Sequence, residues 1–574
     1  MVSPNLMKRV DDSPGAEINN NAKKLFQVIF SEQKKAEEPD DDVAKIKVST
    51  LVSKVAFFYE KVRNAVDYDE EHLLRKNAID RILRRQVMIE GVVKSADSEA
   101  IAKNLIVELI RGSYLSNNTI PESKIKEVAA LAEKYIQLKN QTVLKINSDV
   151  DLKDDIGKAK DLINEKNRLV RFLLTLAACE IEENLGADQV KQTIVNSMFA
   201  VLTKNIVLPS DSKYQKDLEI QIYLSICRTF LKFDKSMLSF VVFKYYNNAW
   251  SDLNKDLKSK DEKDIKAIAH NLGDIKELVE VQLNHPLAKQ LNKIVRLYSL
   301  YFSILSEAIE TDPSKVYKEL QSSERNFVGL IKKVCNRKYK KAKKKLWRAA
   351  VRSIIYIFLT KSIFAILIEV PALKWFNETL NPVSLGINIA FPALLLFFIV
   401  LLTRTPKDNN TDKIIEGIKE ISFVGKEKKR AKTLRQPTKR RWLVDGIFHL
   451  IYTASFFVSI WFIIWVLGFI NFTWVSITIF LFFLAFVSFF SIIVTRGIKE
   501  LMVIERRENL ITFLLDLFYM PIIMVGRWLS NNVSKINVFI FIFDFIIEAP
   551  FKILVEIGED WTKYVRERRE NMEE

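Results

Sequence analysis

The sequence lacks the features that mark the familiar enzyme classes. Its four histidines, His72, His270, His285 and His449, stand far apart, and no His/Cys pair has metal-ligand spacing. No G-x-x-x-x-G-K-[ST] loop is present, so a P-loop nucleotide site is not indicated. No G-x-S-x-G elbow occurs, and no G-x-G-x-x-G follows a strand pattern. The residues therefore point to no catalytic site, no cofactor and no metal, and the chain reads as a non-enzyme. Cysteine is scarce too. Three thiols, Cys179, Cys227 and Cys335, give no disulfide framework and suit a reducing compartment. Only 15 glycines and 14 prolines punctuate 574 residues, which favours long helices over a turn-rich sheet protein. The first 21 residues are polar, so no cleaved signal peptide is expected and internal segments should direct insertion.

What the chain does have is basic charge and apolar length, each in restricted places. The net charge is +17, yet residues 331–349 alone carry +10 and residues 404–441 carry +8. The stretch between them carries +1, which leaves the rest of the chain at −2. Basicity thus flanks apolar runs, as in a positive-inside membrane protein. A nucleic-acid-binding domain would carry it on its own folded surface, so no nucleic-acid partner is expected.

Four segments are long enough to span hydrocarbon: about 350–370, 386–403, 443–467 and 473–495. The basic 331–349 and 404–441 segments belong inside, as do Arg496, Lys499, Arg506 and Arg507 after the fourth run. Both termini should then be cytoplasmic, in a setting that fits a bacterial plasma membrane.

Before residue 331 the apolar residues recur at helical spacing and no strand alternation is evident. In 72–88 the apolar face is Leu73, Leu74, Ala78, Ile79, Ile82, Leu83, Val87 and Met88, with Arg75, Lys76, Arg81, Arg84 and Arg85 elsewhere and Asp69 as N-cap. The helix opened by Pro313 either runs unbroken through Gly329 into the first span or stops there.

The fold class is therefore all-α: a large cytoplasmic helical domain followed by a transmembrane bundle of four spans and two interfacial or re-entrant C-terminal helices. In detail, 1–42 reads as a flexible start, 43–330 as the helical domain and 331–349 as a basic juxtamembrane helix. Residues 350–403 hold spans one and two, 404–441 a basic cytoplasmic loop, 442–496 spans three and four, and 497–574 the amphipathic or re-entrant tail.

Ionisable residues inside apolar runs cost about 2.5–3.5 kcal/mol each when left facing lipid. They are the candidates for a polar path: Lys361, Asp445, His449, Asp516, Asp544 and Glu548. Each also has a local explanation, by snorkelling or by pairing with a neighbour such as Arg352, Arg441 or Lys552. Lys332, Lys333, Lys340, Lys341, Lys343, Lys344, Lys345 and Arg348 are the expected contacts to anionic lipid headgroups. Proportion favours a non-enzymatic scaffold or regulator that binds a protein partner on the cytoplasmic side. A channel or transporter using Lys361, Asp445 and His449 is the second reading, and membrane remodelling or envelope assembly through the C-terminal helices the third.

Overall fold

The computed structural model describes residues 18–37, 44–63, 70–89, 97–148, 156–247, 250, 259–322, 324–379, 381–425, 431–436, 442–504, 509–535 and isolated positions between 557 and 569. These residues are almost entirely helical, as the spacing predicts. The one sheet among them pairs Ile206–Val207 in parallel with Lys432–Thr433, two residues a side. They divide into two compact units, one of 27–299 with 429–436 and 538–574, the other of 1–26, 300–428 and 437–537.

The first unit is a helical array built from amphipathic faces. In the helix Ser98–Arg111, Asp97 accepts a hydrogen bond from Glu99 N at 3.0 Å and caps the start. Ile101, Leu105, Ile106, Leu109 and Ile110 then fall on one side and are all buried. Each such side chain stabilises the fold by about 1.5–3 kcal/mol relative to exposure.

The helix Glu71–Arg84 buries Leu73, Ala78, Ile79, Ile82 and Leu83 in the same core. The expected cap Asp69 lies outside the described residues, and Glu70 holds the cap position without a side-chain cap bond. The cations of this helix are not simply solvated. Arg75 grips Glu182 through two bonds of 2.7 Å, Lys76 meets Asp234 at 2.7 Å and Arg81 meets Glu60 at 2.9 Å. Arg85 pairs with Glu108. Asp234 does double duty, since it also caps the helix Lys235–Tyr246 by accepting from Met237 N at 2.8 Å. Two helices, Ser259–His270 and Leu272–Leu283, follow one another with a division at Asn271.

In the second unit, Pro313–Ser322 forms a short helix, and a 41-residue helix then runs from Glu324 to Phe364 without interruption at Gly329. One interior glycine costs about 1 kcal/mol, and burial of Phe327, Ile331, Val334 and Cys335 on either side outweighs it. The basic segment is therefore the middle of a helix that continues into the first apolar run. The segment 404–441 is not a plain linker. It contains the helix Asp408–Ser422, which buries Ile414, Ile415, Ile418 and Ile421. Asn410 ties this helix to its neighbours, donating to the Tyr339 hydroxyl at 3.0 Å and to Leu501 O at 2.9 Å and accepting from Val503 N at 2.8 Å.

Among the described residues four helices are long and apolar enough to cross a membrane: Glu324–Trp375, Pro382–Leu401, Trp442–Phe469 and Trp474–Lys499. The first and third close with the same device. Asn377 and Asn471 take left-handed backbone angles, and the N–H groups of Glu378 and Phe472 reach back to Leu373 O and Leu467 O at 2.9 and 3.2 Å. Asn381 and Thr473 then cap the helices that follow, accepting from Val383 N and Ser476 N.

The first tail element forms the helix Leu510–Lys535, which packs against the third and fourth apolar helices. Ile522 is buried with Phe480, Leu484 and Ala485, and Gly526 lies against the Ala485 carbonyl. Pro521 sits inside this helix and can donate no hydrogen bond to Leu517 O. Ser455 of the third apolar helix supplies that bond instead, donating to Leu517 O at 2.8 Å, while Ser459 donates to Phe518 O at 3.1 Å. Side-chain hydroxyls from a neighbouring helix are how apolar helices accommodate proline.

Candidate functional site

The first apolar helix changes its winding at Ala365–Glu369, where a single π turn replaces the α ladder. Val370 N bonds Ala365 O, five residues back, and Pro371 follows with no N–H to give. This turn decides which side chains share a face. In an α-helix of about 100° per residue, position i+8 lies about 80° round from i; the extra residue of the π turn brings it back to within about 20°. Lys361 and Glu369, eight apart, are thereby aligned.

Both are fully buried, at 0% exposure, and Lys361 Nζ lies 3.8 Å from Glu369 Oε2. The carboxylate is held from two other helices. Its Oε1 accepts from Asn388 Nδ2 of the second apolar helix at 2.5 Å and from Ser476 Oγ of the fourth at 2.9 Å. Asn388 Nδ2 also faces Ser476 O at 3.3 Å. The ammonium lies over the Phe483 ring, 3.9 Å from its centroid, with Phe364 at 5.5 Å. Aromatic faces attract cations at such distances. Burial of an ion pair is tolerable only when each charge has such further partners.

The accounting is incomplete in an informative way. Lys361 Nζ, Glu369 Oε2 and Asn388 Oδ1 are buried without a hydrogen-bond partner among the described residues. A buried polar atom without a partner costs about 1–3 kcal/mol, and three adjoin here. The second apolar helix has no ionisable residue, and the fourth has none before Arg496. Lys361 and Glu369 are thus the only formal charges that these helix interiors bring to the cluster.

Among the described residues expected to line a polar path, Lys361 alone enters this cluster. It does not snorkel, because its whole side chain is enclosed. His449 and Asp516 are exposed on the surfaces of their helices, so they do not line one path with Lys361. The Asp445 side chain, Asp544 and Glu548 lie outside the described residues, as do the neighbours Arg441 and Lys552. Glu369, Asn388 and Ser476 escaped the sequence reading. Glu369 counted there only as a charge near the end of the first run, and a spacing of eight signals a shared face only when a π turn intervenes. The proline two residues after Glu369 is the one local hint of that turn.

A second candidate surface is the basic part of the long helix. Lys332, Lys333, Lys340, Lys341, Lys343, Lys344, Lys345 and Arg348 are all exposed. Lys332 lies 3.7 Å from Asp408, and the other seven have no acidic partner among the described residues. One turn further on, Leu346 and Ala350 are already packed with Leu396, Val400, Val487 and Ile498 of the apolar bundle.

In the helical unit the buried charges are structural in character. Glu180 accepts from Lys134 Nζ at 2.9 Å, Tyr135 OH at 2.7 Å and Trp250 Nε1 at 2.9 Å, which leaves it well satisfied. Burial pushes Lys134 down from its ordinary value and Tyr135 up. His285 lies 3.5 Å from Asp217, yet burial outweighs that charge and lowers its pKa. Among the described residues no group of three or more His, Cys, Asp or Glu is placed to hold a metal ion. No family model matches the chain, and no curated protein and no solved structure is significantly similar to it.

Proposed function

We propose that this chain is a non-enzymatic, membrane-anchored scaffold or regulator, whose helical domain binds a protein partner on the side of the membrane that holds the basic segments. One observation carries the reading. Residues 431–436, from the basic connection between the second and third apolar helices, fold into the helical unit. Beside the strand pairing, Leu434 is buried and donates its N–H to Val207 O at 2.9 Å. Gln290 exchanges two bonds with the Arg435 backbone, at 2.9 and 3.1 Å, and Gln436 reaches Asp211 at 3.0 Å. This supports a single-sided arrangement, with the helical domain and the basic connection in one compartment. Positive charge assigns that compartment to the cytoplasm, and a bacterial plasma membrane fits.

The basic stripe on a continuous helix supports contact with anionic headgroups. Pull-down of the full chain after mild detergent extraction should recover a protein partner that is lost when exposed residues of the helical domain are altered. A chain recovered alone under all extraction conditions would refute the scaffold reading. Reporter tags in 1–17 and 426–430 should report the same side; tags on opposite sides would refute the topology.

A further inference from the structure

We propose that Glu369, Asn388 and Ser476 form a monovalent-cation site of sodium type, for which the Lys361 ammonium is a tethered competitor. The proposal stands on the buried cluster alone and does not depend on the scaffold reading. Both carboxylate oxygens of Glu369 and the hydroxyl and carbonyl of Ser476 meet at the Asn388 amide, whose Nδ2 now bridges Glu369 Oε1 and Ser476 O; turning that amide over puts Oδ1 in the same place and makes the donor set all oxygen, from three helices. Oxygen donors of this kind suit hard cations. A single carboxylate balances a single positive charge, so a divalent ion would leave a net charge buried at the site.

Two of these oxygens, Glu369 Oε2 and Asn388 Oδ1, are fully enclosed and accept no hydrogen bond among the described residues. The ammonium that neutralises the carboxylate lies at 3.8 Å, too far to donate to it, and rests on the Phe483 ring instead. Lys361 thus supplies charge balance without filling the oxygen set. Its four-carbon stem lets the amine turn off the carboxylate within the enclosed cluster, and when a free cation takes that place the ammonium gives up its proton to solvent, so the buried charge stays even. The cluster lies near one end of its helices. Glu369 lies six residues before Trp375, and Asn388 six after Pro382, each about 9 Å along the helix from the connection between them.

The experiment uses the full chain in nanodiscs, with thermal unfolding followed in sodium chloride against choline chloride at equal ionic strength. In the wild type, sodium should raise the unfolding temperature saturably, and choline should not. Lys361→Met removes the competitor and should reach the same shift at a sodium concentration at least about tenfold lower, because a like charge within this distance weakens binding by that much or more. The double variant Lys361→Met, Glu369→Gln keeps the packing and removes the anion; its sodium response should vanish. A response absent from Lys361→Met, or equal in the double variant, overturns the proposal. If Lys361→Met folds only in sodium, that supports it. If it folds in neither salt, Asn388→Asp in the wild-type background decides: a second carboxylate should lower the sodium requirement, and an unchanged requirement overturns the site.

Discussion

Replacing glycine by alanine at two positions should move stability in opposite directions. A Cβ built on Gly526 of the tail helix lies 1.9 Å from the Ala485 carbonyl oxygen, 2.6 Å from its carbon and 2.9 Å from Phe489 Cβ. Ordinary carbon contacts are about 3.5–4.0 Å, so the tail helix and the fourth apolar helix must separate by roughly 1.5 Å. The obstacle is main chain, which cannot rotate away as a side chain can. Overpacking of this kind costs about 1–3 kcal/mol, and Gly526→Ala should fall at the upper end. Gly329 lies inside the long helix with nothing within 4 Å of the same built atom. There alanine gains helix propensity with no clash, so Gly329→Ala should stabilise by up to about 1 kcal/mol. The assay is thermal unfolding of both variants in one detergent, with disulfide trapping between Leu484→Cys and Ile522→Cys as a local gauge, since these two positions share a buried cluster. Gly526→Ala should lower both the unfolding temperature and the trapping yield. A Gly526→Ala protein as stable as wild type, with trapping intact, would refute the close approach on which the packing of the tail helix rests.

Three further outcomes follow from the same reasoning. Joint replacement of Ser455 and Ser459 by alanine strips the hydroxyl bonds to the carbonyls near Pro521, and should destabilise the bundle by about 1–2 kcal/mol in detergent unfolding; no change would mean those carbonyls find other donors. Burial lowers the pKa of both His72 and His285 below the ordinary 6.5, so the unfolded chain takes up protons first as pH falls. Their contribution to stability is present above about pH 6.5 and is lost below it, and His72→Gln with His285→Gln should flatten denaturation midpoints measured between pH 7.5 and 5.5. In nanodiscs, exchanging zwitterionic for anionic lipid should stabilise the protein, and changing Lys340, Lys341, Lys343, Lys344 and Lys345 to glutamine should remove most of that gain, at about 1 kcal/mol per cation in low salt; an undiminished gain would place lipid contact elsewhere.

Legibility followed the range of the interaction. The stripe from Ile101 to Ile110 is legible in the order of its residues, because it relates neighbours within a few turns, whereas the Asp97 cap that opens the helix came from the structure. The cations of Glu71–Arg84 were seen, but not their partners. At about 100° per residue Arg75 points between Ile79 and Ile82 and Lys76 beside Leu83, on the buried face, but their partners Glu182 and Asp234 stand more than 100 residues on and only the fold brings them there. His449 and Asp516 were picked out because charge in an apolar run is conspicuous, yet conspicuous residues need not converge.

The sequence by itself determined the four segments that form, among the described residues, helices long and apolar enough to cross a membrane, and where basic charge flanks them. In hydrocarbon each segment must satisfy its own backbone hydrogen bonds, so length and apolarity within one segment suffice to identify it. Tertiary structure alone decided the rest. It selected Glu369, Asn388 and Ser476 as the surroundings of Lys361, gave Leu517 O a donor from Ser455, and joined Lys432–Thr433 to Ile206–Val207. Each of those depends on how one helix is turned against another, or on a single π turn. A difference of one residue in winding swings a side chain by about 100°, and no local pattern of residue types encodes it.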